Sequence, residues 1–310
     1  MKIIFMGTPD FAVGTLRELC AAGHEVTLVV SQPDRPKGRG HALTPTPVKA
    51  AALELSLPVL QPAKIREAEE ALAATEADVI VVAAFGQIIP SSILHMKKYG
   101  CINVHASLLP KYRGAAPIQW AVIDGERESG VTIMQMDEGL DTGDMLAKAV
   151  VRLDEKETGG SLFDKLSAAG ARLCAETLPM LERGEITPEK QGESPTAYAS
   201  MLKKSMGNID WTKDAQSIER LVRGLNPWPS AYTMLDGRML KIWSCDVLAQ
   251  DASKGACGEI LEVTKDAIVV QTGAGELALR EIQLSGKARM DAGAFLRGFS
   301  VTPGAVLTAE

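Results

Sequence analysis

Asn103, His105 and Asp141 are the side chains whose types and spacing suggest chemistry most directly. Asn103 and His105 are two residues apart on a predicted strand, so both side chains point to the same face of its sheet. When an amine attacks a carbonyl carbon, the carbonyl oxygen becomes an oxyanion and the amine must lose a proton. The Asn103 amide and a protonated His105 held by Asp141 can donate to that oxyanion, and Asp141 can accept the proton directly or through water. The set suits acyl or formyl transfer to an amine, with Cys101 assigned to the core and Ser107 to hydrogen bonding within its loop.

Two neighbouring loops favour this interpretation over its alternative, a buried Asn-x-His pair that only satisfies loop carbonyls. Residues 112–117 (YRGAAP) follow the pair at once. Residues 139–144 (GLDTGD) lie between two predicted strands and carry Asp141. A loop in that place brings the Asp141 carboxylate within reach of the His105 imidazole.

Alternating apolar runs and helical patterns predict the Rossmann-like parallel α/β sheet that must position these groups. The predicted strands are 2–6, 26–30, 79–83, 101–105, 129–136 and 145–153, and the predicted helices are 48–55, 67–74 and 160–182. A further helix between the first two strands carries Phe11, Leu16 and Leu19 on one stripe. Ligands of open α/β sheets bind beyond the carboxyl ends of the strands, where Asn103 and His105 lie.

A second domain of different character is predicted at 207–310, after a catalytic domain at 1–189 and a polar linker at 190–206. It begins with a helix at 214–225. Short strands follow at 231–235, 239–245, 258–263, 267–271 and 276–284. The first two flank Asp236-Gly237, a strong two-residue hairpin signal. Five such strands predict a small barrel, most simply an OB-like one, with an SH3-like barrel as the open alternative.

The composition excludes several classes of protein. The chain has 310 residues, of which 46% are hydrophobic and 23% charged, so it is neither disordered nor collagen-like. Five cysteines without a C-x-x-C, and four histidines without i, i+4 spacing, argue against a disulfide framework and predict no metal. The phosphate-binding glycine motifs and G-x-S-x-G are missing, which disfavours dinucleotide-dependent oxidoreductases, P-loop NTPases and serine hydrolases. Without a signal peptide or a run of about 18 apolar residues, we expect a cytoplasmic protein that contacts no membrane.

Residues 31–49 form a basic, Gly- and Pro-rich loop in a chain whose net charge is −6. Its cations are Arg35, Lys37, Arg39 and Lys49, against Asp34 alone. Such a loop is a candidate contact for nucleic-acid phosphates, and a solvated surface loop of mixed charge is the alternative. Arg39 is the predicted closest contact, because flanking glycines let the backbone approach a partner.

Together these motifs resemble the formyltransferase family that uses 10-formyltetrahydrofolate, over essentially the whole chain. The matching segments are FMGTPDFA (5–12), SQPDR (31–35), NVHASLLP (103–110), YRGAAP (112–117), GLDTG (139–143) and GLNPWP (224–229). The family often has glycine after the histidine, where this chain has Ala106. That difference leaves the catalytic assignment unchanged.

The resemblance implies a reaction, a cosubstrate and a partner. It implies that Asn103, His105 and Asp141 transfer the formyl group of 10-formyltetrahydrofolate to the α-amino group of methionine on initiator methionyl-tRNA. The step expected is direct amine attack through a tetrahedral intermediate, in a monomer. The implied folate contacts are Ser107, Leu108, Leu109, Pro110, Phe85, Gly86, Gln87 and Gly139. The predicted tRNA contacts are Arg35, Lys37, Arg39 and Lys49 on the basic loop, which would grip the acceptor arm, together with Lys203 and Lys204 before the second domain.

Two other functions remain open at this stage. The same chemistry could serve another acceptor, such as a sugar amine or a small metabolite. A non-catalytic RNA-binding protein with a degenerate α/β domain is the alternative from another class. The basic loop argues against the first, and the intact Asn103, His105 and Asp141 argue against the second.

Overall fold

The structure is a computed structural model that describes residues 1–37 and 42–310. Its strands are β1 Lys2–Gly7, β2 Glu25–Val30, β3 Arg35–Lys37, β4 Ala42–Thr44, β5 Val59–Leu60, β6 Val79–Ala83, β7 Cys101–His105, β8 Glu128–Gln135, β9 Met145–Arg152, β10 Ala231–Leu235, β11 Arg238–Ala249, β12 Ile260–Val263, β13 Ile268–Gln271, β14 Glu276–Leu284 and β15 Met290–Asp291. Its α-helices are α1 Asp10–Ala21, α2 Pro47–Glu54, α3 Glu69–Ala74, α4 Ser91–Leu94, α5 Pro117–Ile123, α6 Gly159–Glu182, α7 Ala215–Gly224 and α8 Ala292–Leu296. Short 3-10 helices lie at Ile65–Ala68 and Lys204–Gly207.

The described residues form two compact units. The first consists of Met1–Pro117, Glu128–Arg152 and Phe163–Ala199, and the second of Ile118–Arg127, Leu153–Leu162 and Ser200–Glu310. The domain boundaries predicted at residues 189 and 207 stay a prediction. All three candidate catalytic residues belong to the first unit.

The first unit contains a seven-stranded sheet in the order β5-β2-β1-β6-β7-β8-β9. The strands from β5 to β7 pair in parallel, whereas β8 runs antiparallel to both β7 and β9. Asn103 on β7 lies beside Val82 of β6, and His105 lies beside Thr132 of β8. The carboxyl ends of the parallel strands therefore meet at one edge, and Asn103 and His105 lie there.

The centre of this sheet is buried on both faces, as the unbroken apolar runs predict. Ile3, Ile4 and Phe5 of β1 have no exposed surface. Burying a side chain of that size contributes about 1.5–3 kcal/mol, so these strands hold the sheet edge in place. The predicted stripe on α1 is confirmed, since Phe11, Leu16 and Leu19 are buried.

The basic segment 31–49 is more regular than the predicted loop. It contains the antiparallel hairpin of β3 and β4. The Thr46 side chain accepts a 3.2 Å hydrogen bond from the Lys49 N–H, and Pro47 occupies the first turn, so α2 begins inside the segment. A threonine cap and an early proline are both typical helix starts.

The second unit contains an antiparallel sheet in the order β10-β11-β14-β13-β12, with β15 paired to β14. Isolated bridges join the C-terminal tail to both edges, from Thr308 to Met234 of β10 and from Val306 to Glu259 beside β12. The tail thereby covers the exposed edges that antiparallel sheets otherwise leave. The Asp236-Gly237 hairpin is confirmed, with positive φ at both residues. The fold class, an α/β unit followed by a β domain, is confirmed, and the OB-like topology stays a prediction.

Candidate active site

The end of β7 places Asn103 and His105 on one face of the sheet. The His105 side chain is only 6% exposed, whereas Asn103 is half-buried. Within the part of the chain that the structure describes, the Asn103 amide makes no side-chain hydrogen bond. Its two N–H groups therefore remain for a ligand.

Both nitrogens of the His105 ring face an oxygen acceptor. Nδ1 lies 3.7 Å from Oδ1 of Asp141, and Nε2 lies 3.1 Å from the carbonyl oxygen of Tyr112. A carbonyl only accepts, so Nε2 carries a proton in this geometry. The other neighbour, the Asp141 carboxylate, is likewise an acceptor and carries a negative charge. Because 3.7 Å is longer than a hydrogen bond, a proton on Nδ1 stays available to a bound oxyanion.

The loop between β8 and β9 holds Asp141 in a left-handed backbone conformation, with a φ of +56°. Aspartate adopts this region more readily than most residues. Asp137 begins the loop, and its Oδ1 accepts hydrogen bonds from the Gly139 N–H (3.0 Å) and the Thr142 hydroxyl (2.8 Å). The Asp141 Oδ2 in turn accepts a 2.9 Å bond from the Gly114 N–H. Hydrogen bonds from two loops thus aim this carboxylate at the imidazole.

Part of the predicted linker hydrogen-bonds both to the loop that carries Asp141 and to the loop that carries Gly114. The sequence did not indicate these contacts. We call residues 189–199 the return segment. It bridges to the first residue of β9, and its last residue, Ala199, bridges to Gly114. Gly114 has a φ of +129°, and a Cβ there would lie 2.5 Å from the Ala199 carbonyl oxygen, so this approach requires glycine. The side chain of Gln191 lies on the return segment and bonds to the Asp141 backbone.

The predicted folate loop after β7 is held by hydrogen bonds to Thr132 of β8 and within the loop itself. The Thr132 hydroxyl donates to the Ser107 carbonyl (2.7 Å) and accepts from the Leu109 N–H (3.1 Å). The Ser107 hydroxyl donates to the Lys111 carbonyl at 2.6 Å, as its predicted loop role requires. Ser107 and Leu109 are buried, and Leu109 packs with Met134 and Met145. Leu108 and Pro110 are half-buried, so a ligand could reach this loop through those two side chains.

The second predicted folate loop follows β6. Phe85 is 2% exposed and belongs to the apolar core of the sheet. Gly86 is exposed, with a φ of +83°. The Gln87 amide accepts from the Ile65 N–H at 2.8 Å and donates to the Ala63 carbonyl at 3.3 Å. This loop therefore offers a ligand its backbone rather than the side chains of Phe85 and Gln87.

Two exposed apolar side chains beside these loops were missed by the sequence analysis. Ile88 is 82% exposed and Leu140 is 58% exposed. The loops that carry them are neighbours, because the Ser91 hydroxyl donates a 2.6 Å hydrogen bond to Glu138. An apolar residue within a polar loop was the signal that could have found them.

A pocket of about 450 Å³ opens beyond the carboxyl ends of β1, β2 and β6. Its apolar lining includes Pro9, Pro33, Pro36, Pro45 and Pro47. Thr8, Gln32 and Arg35 add polar groups, and the hairpin of β3 and β4 forms one wall. Since β6 lies between β1 and β7, the pocket opens at the same sheet edge as Asn103 and His105.

The structure places the predicted tRNA-binding cations in different surroundings. Arg35 is exposed and donates to the Gln32 side chain at 2.8 Å. Lys49 is largely buried and forms a 2.6 Å ion pair with Asp34, which neutralises it within the protein. Lys203 and Lys204 are exposed on the second unit. The Lys37 side chain and Arg39 lie outside the described residues.

Cys101, two residues before Asn103, is too deeply buried to act as a nucleophile. Cys101 on β7 has no exposed surface, and its burial raises the pKa of the thiol to about 12. The thiolate is therefore negligible near neutral pH, and the predicted core role of Cys101 is confirmed. Residues 1–37 and 42–310 contain no group of three His, Cys, Asp or Glu side chains that could hold a metal ion. None of the helices in these two ranges has the length and apolar character needed to cross a membrane.

Comparison with known proteins identifies the family. A formyl transferase profile matches residues 1–178, and the profile of the formyl transferase C-terminal domain matches residues 201–300. The chain belongs to the formyl transferase family. This formyltransferase is 59% identical over 313 aligned residues to a protein of Agathobacter rectalis named methionyl-tRNA formyltransferase, with 99% of this chain and 100% of the relative covered. It is 55% identical to a protein of the same name from Lachnospira eligens, with 99% of both chains covered.

Solved structures support the fold of this formyltransferase. It superimposes on an N-formyltransferase from Helicobacter canadensis, in complex with folinic acid and dTDP-3-aminofucose, with a TM-score of 0.68. The two share 17% identity, and the match covers 90% of this chain and 98% of the other. The sequence-based prediction of a formyltransferase, an enzyme that transfers a one-carbon group, is confirmed by the family profiles and the close relatives.

Proposed function

We propose that this formyltransferase moves the formyl group of 10-formyltetrahydrofolate to the α-amino group of methionine on initiator methionyl-tRNA. The observation that carries the proposal is the catalytic trio, by which we mean Asn103 and His105 at the carboxyl end of β7 together with Asp141. There the Asn103 amide, which makes no side-chain hydrogen bond to the described residues, lies on the same strand face as His105, whose Nδ1 is 3.7 Å from Asp141. The relatives at 59% and 55% identity are named methionyl-tRNA formyltransferase, which supports a formyl transfer to methionyl-tRNA.

The trio suits each step of the transfer. The neutral α-amine attacks the formyl carbon, the new C–N bond forms, and the carbonyl π electrons move to oxygen. Asn103 and the protonated Nδ1 of His105 donate to the resulting oxyanion, the kind of stabilisation that is worth about 10²–10³ in kcat per donor. Tyr112 orients the ring through its carbonyl oxygen.

Asp141 accepts the proton that the attacking nitrogen loses, directly or through one water molecule. The tetrahedral intermediate then collapses as the carbonyl re-forms and the bond to N10 of the folate breaks. N10 leaves with a proton, so the proton released by the amine balances the one taken up. The products are the formylated amine and tetrahydrofolate, and His105 and Asp141 return to their starting states.

The pocket beyond β1, β2 and β6 suits the aminoacyl end of the acceptor. Its five prolines offer apolar surface to a methionine side chain, while Arg35 stands on the wall formed by the hairpin. A guanidinium beside an apolar cleft suits a terminal nucleotide, whose phosphate it can pair. Arg35, Lys37, Arg39, Lys203 and Lys204 are the proposed phosphate contacts. Lys49 contributes less directly, because its ammonium group already pairs with Asp34.

The folate is proposed to bind at the loops that carry Gly86, Leu108 and Gly139. Ile88 and Leu140 supply the exposed apolar surface there, which a flat heteroaromatic ring would cover. A distant structural neighbour of this fold holds folinic acid, which supports a folate site without fixing its residues.

A transfer assay with three acceptors tests the proposed function. The enzyme is mixed with 10-formyltetrahydrofolate and with methionylated initiator tRNA, methionylated elongator tRNA or dTDP-3-aminofucose, and the formyl group is followed. We expect transfer to the initiator form at a rate far above the other two. Transfer to the aminosugar alone would show that the acceptor is a sugar amine rather than methionyl-tRNA, and the proposed formyl-transfer chemistry would stand. No transfer, with folate binding intact by calorimetry, would refute the catalytic assignment.

A further inference from the structure

The return segment, residues 189–199, reaches both neighbours of the His105 imidazole. On one side, its Gln191 side chain bonds to the loop that carries Asp141. On the other side, its Thr196 hydroxyl accepts a 2.7 Å hydrogen bond from the Tyr112 N–H, and the Tyr112 carbonyl faces His105 Nε2. One short stretch of chain thus hydrogen-bonds to the backbone of both residues whose oxygens face the ring.

Gln191 makes four hydrogen bonds with its one amide group. Its Nε2 donates to the carbonyl oxygens of Asp141 (2.9 Å) and Gly143 (2.7 Å). Its Oε1 accepts from Nε (2.9 Å) and Nη2 (2.8 Å) of Arg113. Only a primary amide can donate twice at one end and accept at the other. A carboxylate in this place would present oxygen to two carbonyls. An alkyl chain would remove all four bonds and leave Arg113, among the described residues, only its 2.9 Å bond to the Gly192 carbonyl oxygen.

The backbone of Asp141 needs such support. Its φ of +56° lies in the left-handed region, which costs even aspartate some free energy, and such conformations persist where surrounding contacts over-determine them. The Gly114 N–H holds the Asp141 carboxylate, and Gln191 holds the carbonyl oxygen of the same residue. The two bonds act on opposite ends of Asp141 and fix its direction toward His105.

We propose that Gln191 is a positioning residue for formyl transfer, which sets the Asp141 carboxylate at the His105 imidazole without touching either substrate. The proposal rests on the proposed function, since it assumes that Asp141 and His105 do the chemistry. Losing the amide releases the loop carbonyls, and a shift of about 1 Å in a catalytic group costs about 10²-fold in rate.

The first test compares Gln191→Ala and Gln191→Glu with the wild type in the transfer assay. We expect kcat to fall about 10- to 100-fold in both variants, because each loses the two donations to the loop. The KM values for folate and tRNA should change less than about threefold, since Gln191 binds neither substrate in this proposal. Gln191→Glu can still accept from Arg113, so it serves if Gln191→Ala does not fold. The matched control is Glu193→Gln, an exposed position on the same segment, which should keep wild-type kcat.

The second test asks whether Gln191 acts through Asp141. In the double variant of Gln191→Ala and Asp141→Asn, we expect no loss of kcat beyond that of Asp141→Asn alone, because Gln191 has no charge left to position. A merely structural role would give losses that multiply. Multiplied losses, or wild-type kcat in both Gln191 variants, would overturn the proposal. Wild-type kcat in Asp141→Asn itself would instead overturn the catalytic assignment on which the proposal rests, so the two failures are distinguishable.

Discussion

Replacing Asp141 by asparagine removes one negative charge from beside the His105 imidazole and leaves the shape of the site unchanged. The asparagine Oδ1 can still accept the hydrogen bond that the Gly114 N–H donates at 2.9 Å. The loop should therefore stay folded, and the variant isolates the charge. We expect the imidazolium to lose the partner that balances it, and the amine to lose its proton acceptor.

The size of the effect follows from the distance between the two groups. Two unit charges 3.7 Å apart interact by about 4.5 kcal/mol at an effective dielectric constant of about 20. The Asp141 side chain is 22% exposed, so water screens part of this attraction and the useful share is smaller. Because about 1.4 kcal/mol corresponds to tenfold in rate, we expect kcat to fall about 10²- to 10³-fold.

Single-turnover transfer to methionylated initiator tRNA, at saturating folate and enzyme, measures this loss without product release. The control Glu70→Gln removes the same charge from an exposed position on α3 and should keep the wild-type rate. Thermal unfolding of Asp141→Asn should stay close to that of the wild type. A folded Asp141→Asn enzyme with a rate within about threefold of wild type would refute the electrostatic reasoning, since the expected loss is at least about 10²-fold.

Three further predictions address the same region. Asn103→Ala removes a proposed oxyanion donor and should lower kcat about 10²- to 10³-fold with little change in KM; a raised KM for folate with kcat unchanged would show that Asn103 binds the ground state instead. Gly114→Ala would place a Cβ 2.5 Å from the Ala199 carbonyl oxygen at a φ of +129°, so we expect it to unfold at a clearly lower temperature. Its control is Gly23→Ala, at a φ of +84°, where no atom of the described residues lies within 4 Å of the added Cβ, so that it meets backbone strain without a clash; equal melting temperatures in the two variants would contradict the close approach. The Gln61 amide and the Lys49 ammonium hold the pKa of Asp34 below its usual value of 3.8, so Asp34 stabilises the fold above that pH and loses this effect as the pH falls through the lowered pKa. Asp34→Asn should therefore melt below the wild type at pH 6, with the gap closing as the pH falls below 3.8 and through the lowered pKa, as scanning calorimetry would measure; a gap that is independent of pH would show that the charge of Asp34 does not contribute to stability.

Much of the fold could be predicted because it depends on local patterns. The apolar runs of β6 and β7, the stripe on α1 and the Asp236-Gly237 turn each lie within a few consecutive residues. Strand alternation alone placed Asn103 and His105 on one face. The antiparallel direction of β8 and β9 was not predictable in this way, because a strand has the same period in either direction.

The candidate site likewise has features that local sequence patterns predict and features that they do not. The sequence by itself determined the residue types, their order and the loops that carry them, and these were enough to predict a formyltransferase. Only the tertiary structure decided the 3.7 Å contact between His105 and Asp141, the pairing of Lys49 with Asp34 and the burial of Leu109. It also showed that Gln191, in a stretch predicted as a linker, bonds to Asp141, which lies 50 residues earlier in the chain. Such contacts join residues that are remote in sequence, and their geometry is set by how the whole sheet packs rather than by any local preference.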